Sequence, residues 1–456
     1  MTLSERLSHY ACSLRYDDLS GDTVHEAKRR VIDALGCAMG AFPSEPGRIA
    51  RELALTAGCA RGGTVLGTLH RTSPDWAAFA NGVLIRYLDF NDTYLSKEPA
   101  HPSDNIAAAL AVGEARRCDG RSFLTAVVLG YEVQCRLCDA ASIRARGWDH
   151  VTYGSFSTSL VSAKLMGLDE PVAEHAVSLA AIPNNALRQT RAGELSHWKG
   201  CAFGNASRNG VFAALLAERG MTGPPQVFEG VFGFHRLVSG PFELGPLAGE
   251  AERPFMINRT SIKFFPAEYH AQSAIQAALE LRKEISRIDE IASIDIYTFD
   301  AAADIIGQEP EKWRPKSRET ADHSLPYCTA AALMDGRMGA DQFSEARIKD
   351  ERLIDLVQKV KVHRSPEMNA GYPEGIPNRV EVTVRSGERF VRRVDHPRGH
   401  HRNPMTDLEV EQKFEALAGP LLAPQRIRAA LDGLWKLEEL PDVGRIPPMF
   451  EITRPN

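Results

Sequence analysis

The helical segments in the first half of this chain fill their apolar faces with alanine, serine and glycine, and no other feature constrains the fold as strongly. Ser103 to Arg116 and Phe156 to Met166 show it best, and the second closes on Gly167, a residue suited to the left-handed turn that ends a helix. Small side chains let helix axes approach closely, so the expectation is a dense all-helical body without a central sheet. Thr23-Val-His-Glu26 reads as a capping box with Thr23 as N-cap, and Val24, Ala27, Val31, Leu35 and Ala38 follow at helical spacing. Another apolar helical run covers Trp76 to Leu88. Val211 to Arg219 ends the series ahead of a Gly/Pro-rich stretch, Gly220 to Pro246.

After about Arg287 the period changes. Ile291 to Phe299, Val357 to Val362, Val380 to Val384 and Phe390 to Val394 alternate like strands, and Ser386-Gly387 suits a hairpin turn. Helical segments at Tyr269 to Lys283 and Tyr327 to Leu333 interleave with them, an α+β pattern that predicts a second, smaller domain. Helix returns at Asp407 to Leu417 and Pro424 to Leu434. A chain of 456 residues has room for two domains.

The formal net charge of -5 gives no general attraction for nucleic acid or an acidic membrane surface. The opening Met1-Thr-Leu-Ser-Glu-Arg-Leu lacks the apolar core of a signal peptide. Apolar stretches such as Phe123 to Tyr131 are about half the roughly 20 residues that a spanning helix needs. A cytoplasmic protein is therefore expected, with no nucleic-acid or membrane partner. Its eight cysteines are sparse for a disulfide scaffold and fit a reducing compartment. Cys135 and Cys138 form a Cys-x-x-Cys inside an apolar helical segment, where both sulfurs read as small buried side chains. An iron–sulfur or zinc role needs further ligands at recognisable spacing, and none is evident. The loop Asp395-His-Pro-Arg-Gly-His-His401 reads as solvated rather than metal-binding. Phosphate loops, dinucleotide fingerprints, nucleophile elbows and zinc-protease helices are all missing, so nucleotide, hydride and serine-nucleophile chemistries recede.

Four polar clusters remain. Asp89-Phe-Asn-Asp92-Thr93-Tyr94, followed by His101-Pro-Ser-Asp104-Asn105, gathers carboxylates, a hydroxyl and a histidine at helix ends, where free N–H groups attract anions. Asp92, Thr93, Ser103 and Asp104 are also good helix caps, and composition alone leaves both readings open. Arg188 to Asn205 interleaves Arg188, Arg191 and Lys199 with glycine and an aromatic residue, which suits a bound polyanion or an exposed basic loop. In Ser261-Ile-Lys263-Phe-Phe-Pro-Ala-Glu-Tyr-His270 a lone lysine either snorkels to solvent or presents its charge in a pocket. Asp322-His-Ser-Leu-Pro-Tyr327 opens an apolar helix, and His150 precedes another.

Together these strings resemble the MmgE/PrpD family. The matching stretches are Tyr87-Leu-Asp-Phe-Asn-Asp-Thr-Tyr with His101-Pro-Ser-Asp-Asn, then Trp198-Lys-Gly-Cys-Ala, Lys263-Phe-Phe-Pro-Ala-Glu-Tyr-His, Asp322-His-Ser-Leu-Pro-Tyr and Asn403-Pro-Met-Thr-Asp. The resemblance implies a mainly α fold: a large all-helical domain built from both chain ends, residues 1–265 and 400–456, with a smaller α+β lid domain over residues 266–399. It also implies a homodimer, no metal or other cofactor, and a small tricarboxylate as substrate. Carried over by position, the catalytic residues would be Asp89, His101, His150, Lys199, Lys263 and Tyr327, with Thr93, Arg188 and Arg191 holding substrate carboxylates. The spacer Leu95 to Pro99 and the Asp322-His-Ser-Leu-Pro string resemble the branch that dehydrates 2-methylcitrate in propionate catabolism. A cis-aconitate decarboxylase, an iminodisuccinate epimerase and a non-enzymatic helical scaffold are the alternatives. For a dehydration, His101 is the expected acid/base with Asp89 orienting it, Lys199 and Lys263 stabilise the developing charge, and His150 and Tyr327 serve the leaving hydroxyl.

Overall fold

The computed structural model describes residues 1–250 and 253–453, and the chain is mainly α-helical. Its largest apolar core draws on both ends of the chain. Leu7, Val31 and Leu35 from the beginning meet Phe414, Leu431 and Phe450 from the end, around the helices Asn105–Arg116, Gly120–Ala140 and Val151–Met166. Among the described residues of this part, strands occur only in two-stranded pairs. The small-residue faces do what their composition predicts. A Cβ on Gly82 of the helix Pro74–Arg86 would lie 2.8 Å from the Cα of Gly204 in the helix Trp198–Glu218, so the two backbones touch where only glycine fits.

A second core is built wholly from residues between Phe265 and Val394. It centres on a four-stranded sheet in the order Val360–Arg364, Ile291–Thr298, Asn378–Val384, Arg389–Val394, with the first pair parallel and the others antiparallel. Ile294, Ile296 and Thr298 alternate inward. A bulge between Ile291 and Ser293 brings Ile291 to the same face, extending the apolar row by one residue. Helices Gln272–Arg282 and Leu325–Asp335 cover the sheet.

Three local expectations are corrected. The N-cap of the helix Gly21–Ala41 is Ser20, whose hydroxyl accepts from the Thr23 amide; Thr23 lies inside the first turn. The strand expected over Val357 to Val362 begins at Val360, because Glu351–Val357 is helical and points its valine inward. The histidine loop is only partly solvated. His400 is only 3% exposed and packs against the rings of His396 and His401, and the loop backbone is drawn in by Ser261. Cys135 and Cys138 are fully buried in the helix Gly120–Ala140. Among the described residues no helix is long and apolar enough to cross a membrane.

Candidate active site

One buried carboxylate organises the site. Asp89 follows the helix Pro74–Arg86 in a left-handed conformation, φ 52°, which aspartate tolerates better than most residues. The turn folds its carboxylate back onto Arg86 in an ion pair. Asp92–Thr93 pairs with Ser261–Ile262, and that register delivers Lys263 to the same group. Its Nζ donates to Asp89 Oδ1 at 2.7 Å and to the Asp89 carbonyl at 2.9 Å. Lys199, in the first turn of Trp198–Glu218, lies 3.5 Å from Asp89 Oδ2 and donates to Asp322 Oδ1 at 2.7 Å. Asp322 and His323 belong to the segment of the second core, so the ion cluster ties the two cores together. Burial alone would raise the Asp89 pKa; Arg86, Lys263 and Lys199 outweigh it and hold the carboxyl well below its usual range. Burial lowers the Lys263 pKa against the opposing pull of Asp89.

Three histidines surround this cluster, each held in one tautomer. His101 places Nδ1 2.7 Å from the Asp92 carbonyl oxygen. A carbonyl can only accept, so Nδ1 carries the proton and Nε2 keeps its lone pair. Burial, reinforced by Arg86 and Lys263, pushes the His101 pKa well below the ordinary histidine value. His150, at the start of Val151–Met166, donates from Nδ1 to Asp149 at 2.8 Å, and its Nε2 is buried with no partner among the described residues. Burial also lowers its pKa, with Asp149 opposing. The His101 and His150 rings meet edge to face, 5.7 Å between centroids. His323 donates from Nδ1 to Asp322 at 2.7 Å, and burial followed by Lys199 brings its pKa down to about 4.

These imidazoles line one cavity together with Arg86, Asp89, Lys263, Thr93 and three further arginines, Arg144, Arg188 and Arg191. Backbone bonds between Asp149 and Ala186, and between Arg188 and Gly147, dock the Arg188–Arg191 turn beside His150. Arg191 donates through Nε to Asp149 at 3.1 Å and through Nη1 to the Lys199 carbonyl, leaving Nη2 buried with no partner among the described residues. Among the described residues neither Arg144 nor Arg188 is in salt-bridge contact with a carboxylate. Burial lowers the Arg188 pKa and its neighbour Arg144 lowers it further, the signature of two like charges side by side. A cavity of this kind combines neutral nitrogen bases with underused guanidinium groups, and suits a small molecule with several carboxylates and an abstractable proton.

Asp89, Asp322 and His323 also bring oxygen and nitrogen atoms within 4.8 Å of one another, as a metal site would. Lys199, Lys263 and Arg86 already set three positive charges against these two carboxylates, so the trio is an ion-pair network and a poor fit for a metal ion.

The structure therefore gathers Asp89, Thr93, His101, His150, Lys263, Arg188 and Arg191 around one cavity. Lys199 stands behind it, its ammonium spent on Asp322 and Asp89. Tyr327 is set apart: its hydroxyl donates to the Gln342 carbonyl at 2.5 Å within the second core, and it is not among the residues that line the cavity. His101 is oriented by the Asp92 carbonyl and makes no hydrogen bond to Asp89, whose carboxylate is taken up by cations. The sequence reading missed Arg86, Arg144 and His323. Arg86 sits three residues before Asp89 at a helix end, a spacing that could have signalled it, and His323 lies inside an already flagged string. Arg144 has no local signature.

Two family models match the chain, the MmgE/PrpD N-terminal domain over residues 5–247 and the MmgE/PrpD C-terminal domain over residues 265–437. The chain is 29% identical to a protein named 2-methylcitrate dehydratase, a hydro-lyase, from Cupriavidus necator, over 91% of this chain and 90% of that one. It is 29% identical to one of the same name from Escherichia coli K12, over 92% and 91%. It is 27% identical to the cis-aconitate decarboxylase of Homo sapiens, over 100% and 95%.

Proposed function

Because the chain belongs to the MmgE/PrpD family, we propose that it is a hydro-lyase that removes water from 2-methylcitrate without a metal or other cofactor. The observation that carries this reading is the neutral His101, its Nδ1 proton pinned to the Asp92 carbonyl, on a cavity where Arg144 and Arg188 have no salt-bridge partner among the described residues. The Nε2 lone pair takes the proton from the carbon beside a carboxylate. The electrons of that C–H bond form the double bond, and hydroxide departs from the neighbouring carbon. Lys263 spends two donors on Asp89 and has a third N–H to protonate the hydroxide, so water leaves. Its lowered pKa makes that transfer easier. Arg188, Arg191 and Arg144 hold the carboxylates, in bidentate fashion where the geometry allows, and stabilise the charge that builds as the proton departs.

In this reading residues 266–399 act as a lid over a body made of residues 1–265 and 400–456, which is supported by cavity walls drawn from both cores. The active species is a homodimer. Exposed Trp198 and Phe212, almost four helical turns apart on one face of Trp198–Glu218, support a contact there.

The pH profile of kcat/KM tests the protonation states, since it reports the free enzyme. His101 must be neutral to accept a proton, and its folded pKa lies below 6.5. Activity should therefore persist as pH falls through 6.5 and drop only as pH passes the depressed value. On the alkaline side it should fall before the ordinary lysine value of 10.5, because the Lys263 pKa is lowered. An acid limb at or above 6.5 would count against His101 as the base.

The reaction itself is tested by offering 2-methylcitrate, citrate and cis-aconitate separately, following the conjugated double bond by ultraviolet absorbance and trapping carbon dioxide in parallel. The expected result is dehydration of 2-methylcitrate, a weaker reaction with citrate and no carbon dioxide. Rapid carbon dioxide release from cis-aconitate, with no water chemistry on either citrate, would replace the hydro-lyase with a decarboxylase.

A further inference from the structure

We propose that Leu95 and Ile305 form the corner of the cavity that reads the alkyl substituent of the substrate, which rests on the hydro-lyase reading above. Almost every other wall of the cavity is a guanidinium, ammonium, imidazole, carboxylate or hydroxyl group; Leu95, Ile305 and Pro99 are its aliphatic surface. Leu95 and Ile305 are both partly buried and pack against the second core. Leu95 follows Tyr94, whose backbone pairs with Ala100, so residues 95–99 form a loop closed immediately before His101, with Leu95 and Pro99 as its apolar ends. Ile305 reaches the same cavity from the last turn of Asp300–Ile306.

A carboxylate placed against this corner would lose hydration and gain no donor, an unfavourable exchange. The corner therefore suits a part of the substrate that carries neither charge nor hydroxyl. In a citrate skeleton with a 2-alkyl group, that part is the alkyl group. The Tyr94–Ala100 pairing closes the loop that carries Leu95 and Pro99 next in sequence to His101, the proposed base, and all three line the same cavity. Citrate, which has hydrogen in place of the alkyl group, would leave the corner unfilled and bind its reacting carbon less firmly.

An apolar pocket discriminates one methyl or methylene by roughly 10–200-fold. The test is kcat/KM for citrate, 2-methylcitrate and 2-ethylcitrate with the full-length protein and with Ile305→Val, Ile305→Ala and Leu95→Ala. The 2-methylcitrate to citrate ratio should fall about 10-fold in Ile305→Ala, less in Ile305→Val, and in the same direction in Leu95→Ala. The enlarged corner of Ile305→Ala should also raise the 2-ethylcitrate to 2-methylcitrate ratio. Circular dichroism melts accompany each variant, and if one of them fails to fold, the remaining two still decide the outcome. Ratios that stay at the wild-type value in folded variants overturn this assignment alone, provided the wild type dehydrates 2-methylcitrate. A wild type that dehydrates neither acid overturns the hydro-lyase reading, and this assignment with it.

Discussion

Asp89→Asn should destabilise the protein by about 3–5 kcal/mol, the usual cost of removing one partner from a buried ion pair. Asparagine tolerates the left-handed backbone at this position, so the effect is electrostatic rather than conformational. The side chain is 1% exposed and neutralises Arg86 and Lys263, neither of which has a second carboxylate as close among the described residues. Arg86 has only Asp104, 3.7 Å away, and burial pushes the Asp104 carboxyl up to about 8, so at neutral pH that group is largely uncharged. Lys199 keeps Asp322 and suffers less. Urea unfolding followed by circular dichroism measures the shift. An Asp89→Asn protein that unfolds with the wild type would show that the cluster's charges are compensated elsewhere.

His101→Gln should lower turnover by roughly 100-fold or more, the scale for losing a general acid or base, while leaving the fold intact. A glutamine amide can still donate to the Asp92 carbonyl, so the buried acceptor stays satisfied. What it lacks is a nitrogen lone pair aimed at the cavity. The comparison is turnover per folded molecule together with the melting curve. An early-melting variant with undiminished turnover would make His101 a structural residue.

The chain's local chemistry made its helices and strands legible, because apolar period and cap residues act over a few positions. Pro424–Leu434 and Asn105–Arg116 lie where the 3.6-residue period puts them. The errors are local competitions as well. Ser20 outcompetes Thr23 because both are good caps and only tertiary packing of the first turn decides between them. At the site, the residue types were readable but their partners were not. Asp89 and His101 stood out in a dense polar cluster at helix ends, Lys199 among cations interleaved with glycine, and Lys263 as a lone lysine in an apolar run. Which of them touch depends on the pairing of Asp92–Thr93 with Ser261–Ile262, strands separated by most of the first core, and a two-residue strand leaves almost no alternation to read. Tyr327 shows the opposite failure. It follows the Asp322-His323 string in sequence, but the helix it opens turns its hydroxyl into the second core. Arg144 was invisible because its place is set by Glu98, which accepts hydrogen bonds from Ser142, Ile143 and Arg144 and so binds that loop to the His101 segment.

Elimination of water through His101 predicts a specific isotopic outcome when the reaction runs backward. The wild-type protein, given 2-methylaconitate in heavy water, should return 2-methylcitrate carrying one carbon-bound deuterium, on the carbon beside the one that gains the hydroxyl. Mass spectrometry of the isolated acid reads this directly, with the hydroxyl and carboxyl positions back-exchanged in ordinary water. Recovery of unchanged 2-methylaconitate, or of a product with one carboxylate fewer and carbon dioxide in the trap, would contradict the account.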